Sequence, residues 1–171
     1  RLDRATFVVL LAGTPDVGSY LKLQAVFFNH TGTTGIYTPF ARLPVEVVMP
    51  AGFPAEDVHV LPSGETASLV VRYRGNGTGG KPILVLAHMD VVDARREDWE
   101  RDPFTLVEEN GYFFGRGASD DKFGVASLTG TFLRLKAEGF VPTRDLIIAF
   151  TGDEETGMLS ARRLVNEHRA L

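Results

Sequence analysis

Three short polar clusters in this chain bring together the residue types that hold a divalent cation and activate water. In the first, His88-Met89-Asp90, positions i and i+2 of an extended chain share a side. Asp90 can therefore accept the second ring N–H of His88 and orient the imidazole. In the second, Gly115-Arg116-Gly117-Ala118-Ser119-Asp120-Asp121-Lys122, glycines flanking an arginine permit a tight turn. The adjacent carboxylates suit the positive end of a helix, and equally a cation that relieves their repulsion. The third, Thr151-Gly152-Asp153-Glu154-Glu155, stacks three acids; against a metal, one can ligate while its neighbour accepts a proton. Each cluster also has a plain reading: a capped strand end, a charged helix start, a solvated acidic loop.

The elements around the clusters decide whether they can meet. Residues 83–87 (ILVLA) form a continuous apolar run after Lys81-Pro82, the composition of a strand buried on both faces, and 145–150 (DLIIAF) is a second such run. After Gly124, the residues Val125, Leu128, Phe132 and Leu135 recur at helical spacing and place one apolar face on a helix that ends near Gly139. Strand, helix, strand over 83–150 reads as a crossover unit of a parallel sheet. A hairpin is inserted before the helix, 104–107 and 112–114 joined through Asn110-Gly111. Upstream, 57–61 and 68–74 alternate as short strands, and a last helix begins near Leu159. Residues 1–50 carry no confident helix pattern and are set apart from 51–171. The predicted class is α/β, with a mixed, largely parallel sheet flanked by helices. Ligand sites of such sheets lie beyond the carboxyl ends of the strands, where two of the clusters fall, and the third opens the connecting helix.

Composition narrows the chemistry. The 171 residues are 44% hydrophobic and 23% charged, with 18 Lys+Arg against 22 Asp+Glu, a net charge of -4. That is an ordinary globular profile without the basic patch that a nucleic acid needs. Cysteine is absent, so any metal must be held by His and carboxylates. Such a nitrogen and oxygen site suits zinc, manganese or cobalt, and paired carboxylates favour two ions about 3.5 to 4 Å apart. The apolar run 5–12 (ATFVVLLA) is far short of the roughly 20 residues that span a bilayer, and no membrane association is expected. Arg1 and Arg4 ahead of it resemble the end of a secretory signal, which would mean a periplasmic or secreted chain; otherwise the cytoplasm is expected. Asn29 and Asn76 each open an Asn-X-Thr glycosylation pattern.

Four ordered motifs carry a resemblance: HMDVV at 88–92, Trp99 followed by Asp102-Pro103-Phe104, GRGASDDK at 115–122 and GDEETG at 152–157. Over 51–171 the chain resembles the dizinc metallohydrolases that include aminoacylases, carboxypeptidases, dipeptidases, acetylornithine deacetylase and succinyl-diaminopimelate desuccinylase. The resemblance implies a zinc-exopeptidase-like catalytic domain in which His88, Asp120 and Glu155 ligate two Zn2+ ions, Asp120 bridging them. Asp90 would support His88, and Glu154 would be the general base. The implied reaction is hydrolysis of an amide or peptide bond in a small N-acylated amino acid or short peptide by metal-activated water, with Co2+ or Mn2+ as alternative ions.

The departures are specific. The family's further acidic ligand lies about two dozen residues past the Glu154-Glu155 pair, beyond Leu171, and its last His ligand lies further still. The lid or dimerisation domain, through which such enzymes pair, is expected outside this stretch. Phe123 stands where the family commonly has Gly, and His168 reads as a surface residue of the last helix. The alternative reading is a non-catalytic module of the same fold that binds metal weakly or binds a partner. A plain nucleotide- or carbohydrate-binding α/β domain has less support, since no GxGxxG loop follows a strand.

Overall fold

The computed structural model describes residues 48–171. The apolar run 5–12, Asn29 and nearly all of the segment 1–50 lie outside the described residues. Among the described residues, six strands form two sheets: β1 (Val58–Ser63), β2 (Thr66–Tyr73), β3 (Ile83–His88) and β6 (Leu146–Thr151) in one, and the hairpin β4 (Val107–Glu109) and β5 (Tyr112–Phe114) in the other. Of the described residues, two stretches form α-helices, α1 (Lys122–Ala137) after the hairpin and α2 (Leu159–Glu167) after β6.

The main sheet runs β1-β2-β6-β3. β3 and β6 pair in parallel, as the strand, helix, strand pattern requires, whereas β1-β2 and β2-β6 are antiparallel. The sheet is mixed as expected, with one parallel pairing among the three described. Alternation along β2 and β6 sorts side chains into two cores. Leu69, Val71, Tyr73, Ile148 and Phe150 cluster with Val125 and Phe132 of α1. Val70, Ile147 and Ala149 face the opposite layer, with Leu164 of α2 against them. Phe53 closes the first core, edge-on to Tyr73 at 5.5 Å and stacked on Phe132 at 6.0 Å.

Two local expectations are corrected. β3 is not buried on both faces: Leu84 and Leu86 are 54% and 61% exposed. It sits at the margin of the described sheet with β6 on one side only, and an apolar run reports the strand without its place in the sheet. The hairpin keeps its Asn110-Gly111 turn, both residues at positive φ (53° and 80°), but its first strand is Val107–Glu109 and not 104–107. A two-residue turn sets the register Glu109 to Tyr112, and the Asp102 carboxylate holds residues 102–105 as a turn by accepting from Phe104 N and Thr105 Oγ1.

Helix α1 starts two residues before Gly124 because Asp121 caps it, accepting from the Gly124 amide at 3.1 Å. Truncating the fully buried Phe150 to Ala should cost about 3 to 5 kcal/mol in urea unfolding. A cost under about 1 kcal/mol would show that the α1 core does not hold the sheet.

Candidate metal centre

The parallel register of β3 and β6 sets His88 opposite Thr151, the last residues of the two strands. One more rung follows, Met89 N donating to the Thr151 carbonyl at 2.7 Å. The clusters 88–90 and 151–155 therefore leave adjacent strands side by side. Gly152 is required at this exit: a Cβ there would lie 2.1 Å from Thr66 Oγ1 and 2.7 Å from the Ala67 carbonyl oxygen.

Asp90, 6% exposed, joins the two segments. Its carboxylate accepts from the backbone amides of Glu154 at 3.1 Å and Glu155 at 2.9 Å, and one oxygen lies 3.4 Å from His88 Nδ1. The ring nitrogen also lies 3.2 Å from the Asp90 carbonyl oxygen. The other face of the imidazole looks outward, with Nε2 at 2.8 Å from Asp120 Oδ1 and 3.9 Å from Glu154 Oε2.

Asp120 reaches this point from the opening of α1, after Gly117, whose φ of 78° disfavours any side chain and where a Cβ would lie 2.2 Å from Val91 Cγ1. The Asp120-Asp121 peptide is cis. The two neighbouring acids divide their work. Asp120 is exposed toward His88, while Asp121 caps α1 and accepts from the His88 amide at 3.2 Å. Lys122 is fully buried and its ammonium donates to the Met89 carbonyl.

His88, Asp120 and Glu155 can each offer one ligand atom, and those atoms all lie within 4.8 Å of one another. The donors are one nitrogen and two carboxylate oxygens, a borderline-to-hard set that fits Zn2+, Mn2+ or Co2+, and the second ring nitrogen of His88 is already engaged. Burial opposes protonation of His88. The hydrogen bond with Asp120 and the charges of Asp90, Asp121 and Asp120 together outweigh it, so the imidazole pKa stands above its ordinary value. Burial pulls Lys122 down to about 8 against the opposing charges of Asp90 and Asp121.

All five residues singled out from sequence, His88, Asp90, Asp120, Glu154 and Glu155, converge here. His168 lies elsewhere, capping the C-terminal end of α2. Two further residues build the site. Asp121 belongs to the acidic pair that the sequence places at a helix start, with nothing in residue type to separate it from Asp120. Asp153 carried no comparable signal: it turns away from its acidic neighbours and holds the start of α2, accepting from Leu159 N at 2.7 Å, Ser160 N at 3.0 Å and the Ser160 hydroxyl.

Residues 84–171 match the family model described as peptidase family M20/M25/M40, which is more than half of the chain. The chain belongs to this family. Among the M20 relatives, the human N-fatty-acyl-amino acid synthase/hydrolase PM20D1 is 35% identical over 100 residues, 58% of this chain and 20% of that protein. A probable succinyl-diaminopimelate desuccinylase of Staphylococcus aureus is 36% identical over 110 residues, 63% of this chain and 27% of that protein. The chain thus spans about a quarter or less of these relatives' lengths. The fold is that of the Saccharomyces cerevisiae dipeptidase Dug1p, at a TM-score of 0.71 and 20% identity, covering 94% of this chain and 37% of that one. It is also that of the M20 metallo-carboxypeptidase Sso-CP2 of Sulfolobus solfataricus, at 0.67 and 20%, covering 82% and 32%.

The raised His88 pKa has a readable sign. With a chelator present, His88 contributes stability in full below its unfolded pKa of about 6.5, and that contribution is lost as pH rises through the higher folded value. Urea stability of the metal-free protein should therefore fall as pH rises above about 6.5, and His88→Gln should flatten this fall. An unchanged slope in the variant would contradict the assignment. Lys122, lowered to about 8, titrates at higher pH and with the opposite sign.

Proposed function

We propose that this M20 chain carries the metal-binding and proton-transfer half of a zinc-dependent hydrolase that cleaves amide or peptide bonds in N-acylated amino acids or short peptides. The observation that carries the reading is the grouping of His88, Asp120 and Glu155 within 4.8 Å, with Glu154 3.9 Å from His88 on the same side. In this reading His88, Asp120 and Glu155 would hold the zinc. Bound zinc would supply Lewis acidity for the scissile carbonyl and lower the pKa of water at the site.

The chain's own residues do the rest. Asp90 fixes the His88 ring by engaging Nδ1, which leaves Nε2 as the ligand atom. The Glu154 carboxylate stands beside the ligand group, where it takes a proton from the attacking water and returns it to the leaving amine. Glu154 and Glu155 hold their places because their amides are tied to Asp90.

The names of the relatives support the substrate class: a hydrolase of N-fatty-acyl amino acids, a desuccinylase and a dipeptidase each act on a bond of this kind. The partners we propose are such small substrates, with assembly as a homodimer through a domain outside this stretch. The net charge of -4 argues against nucleic acid, and no helix of the described residues is long and apolar enough to cross a membrane.

Two experiments test the reading. Glu154→Gln should keep its bound zinc and lose about 10²- to 10⁴-fold in turnover on N-acyl amino acids and dipeptides. A fully active variant would remove its role as base. Asp120→Ala should lose zinc measured by elemental analysis after dialysis, and unchanged zinc content would sink the ligand assignment.

A further inference from the structure

The start of α1 grips the end of β3 at three successive points. The Asp120 side chain meets the His88 ring, the Asp121 side chain takes the His88 amide, and the Lys122 ammonium takes the Met89 carbonyl. The first contact belongs to the ligand group and the second is shared with a helix cap. The third belongs to neither. Lys122 is the largest fully buried side chain among the described residues, at 1% exposure, and Met89 beside it is 5% exposed. An ammonium is costly to bury, and an apolar residue of similar volume commonly serves a core as well or better. Packing alone therefore does not account for a lysine here.

The acceptor explains the choice. The Met89 carbonyl belongs to the peptide unit that enters Asp90, so its orientation sets the direction in which the Asp90 side chain leaves the backbone. That carboxylate carries the connections on which the centre depends, to His88 Nδ1 and to the amides of Glu154 and Glu155. β6 holds this peptide segment from one side through Met89 N, and Lys122 holds it through the carbonyl. We infer that Lys122 is a positioning residue that locks the Met89-Asp90 peptide plane and so aims Asp90 at His88 and the Glu154-Glu155 amides. The inference rests on the hydrolase reading only for its catalytic consequence; the geometry it concerns lies within the chain's own residues.

Lys122→Met keeps the length and apolar stem of the side chain and removes the donor. In the metal-free protein, hydrogen exchange of the Glu154 and Glu155 amides should speed up by tenfold or more, while amides of the β2-β6 pairing exchange as in the wild type. Zinc affinity, measured by competition with a chromophoric chelator, should weaken about 10- to 100-fold. kcat should fall by a similar factor with KM changed less than about twofold. Wild-type exchange at Glu154 and Glu155 in a folded Lys122→Met protein would overturn the inference. Should Lys122→Met fail to fold, Lys122→Leu, which also lacks the donor, decides by the same two amides: faster exchange supports the role and unchanged exchange overturns it. A wild-type protein that bound no zinc would defeat the hydrolase reading, and the exchange result would still judge Lys122.

Discussion

The centre depends on one register, the parallel pairing that sets His88 of β3 opposite Thr151 of β6. Side chains alternate along a strand, so a slip of one residue would turn His88 to the other face and part it from Asp120 and Glu154. The register is enforced by burial on both sides of β6. Ile148 and Phe150 pack toward α1 while Ile147 and Ala149 pack toward α2, and neither set can change places without exposing a core. The antiparallel partner β2 locks β6 from its other edge, pairing Leu69 with Phe150 and Tyr73 with Leu146.

From that register follows a concentration of negative charge that needs an answer. Asp90, Asp120, Asp121, Glu154 and Glu155 meet around one imidazole and one ammonium. Asp90 and Asp121 are satisfied by backbone amides and by Lys122 nearby. Asp153 is drawn away into the cap of α2. That leaves Asp120, Glu154 and Glu155 grouped at the open side of His88, the arrangement a divalent cation neutralises. The raised proton affinity of His88 expresses the same field.

Much of this was legible in the chain. Runs such as ILVLA and DLIIAF announce strands through composition, and Asn110-Gly111 announces a two-residue turn. The motifs at 88–90, 115–122 and 152–157 announced where the chemistry would collect, because ligand sites of such sheets lie beyond the carboxyl ends of the strands, and although each cluster alone has a plain structural reading, the three fall together there. What was hidden depends on contacts distant in sequence. That Asp90 binds amides more than 60 residues away is a backbone contact, and it leaves no mark on residue type. The solvent exposure of β3 was hidden because sheet order is not written in a single run. The division of Asp120 and Asp121 between ligand position and helix cap needs the geometry of the turn, since the pair reads the same in either order.

The central claim is that His88, Asp120 and Glu155 form one cation site. The most direct measurement is anomalous X-ray scattering at the zinc edge from crystals of the protein grown with zinc. The account predicts anomalous density within ligand distance, about 2.0 to 2.2 Å, of His88 Nε2 and the Asp120 and Glu155 carboxylates. Stoichiometric zinc bound elsewhere, with no anomalous density between these three side chains, would contradict it.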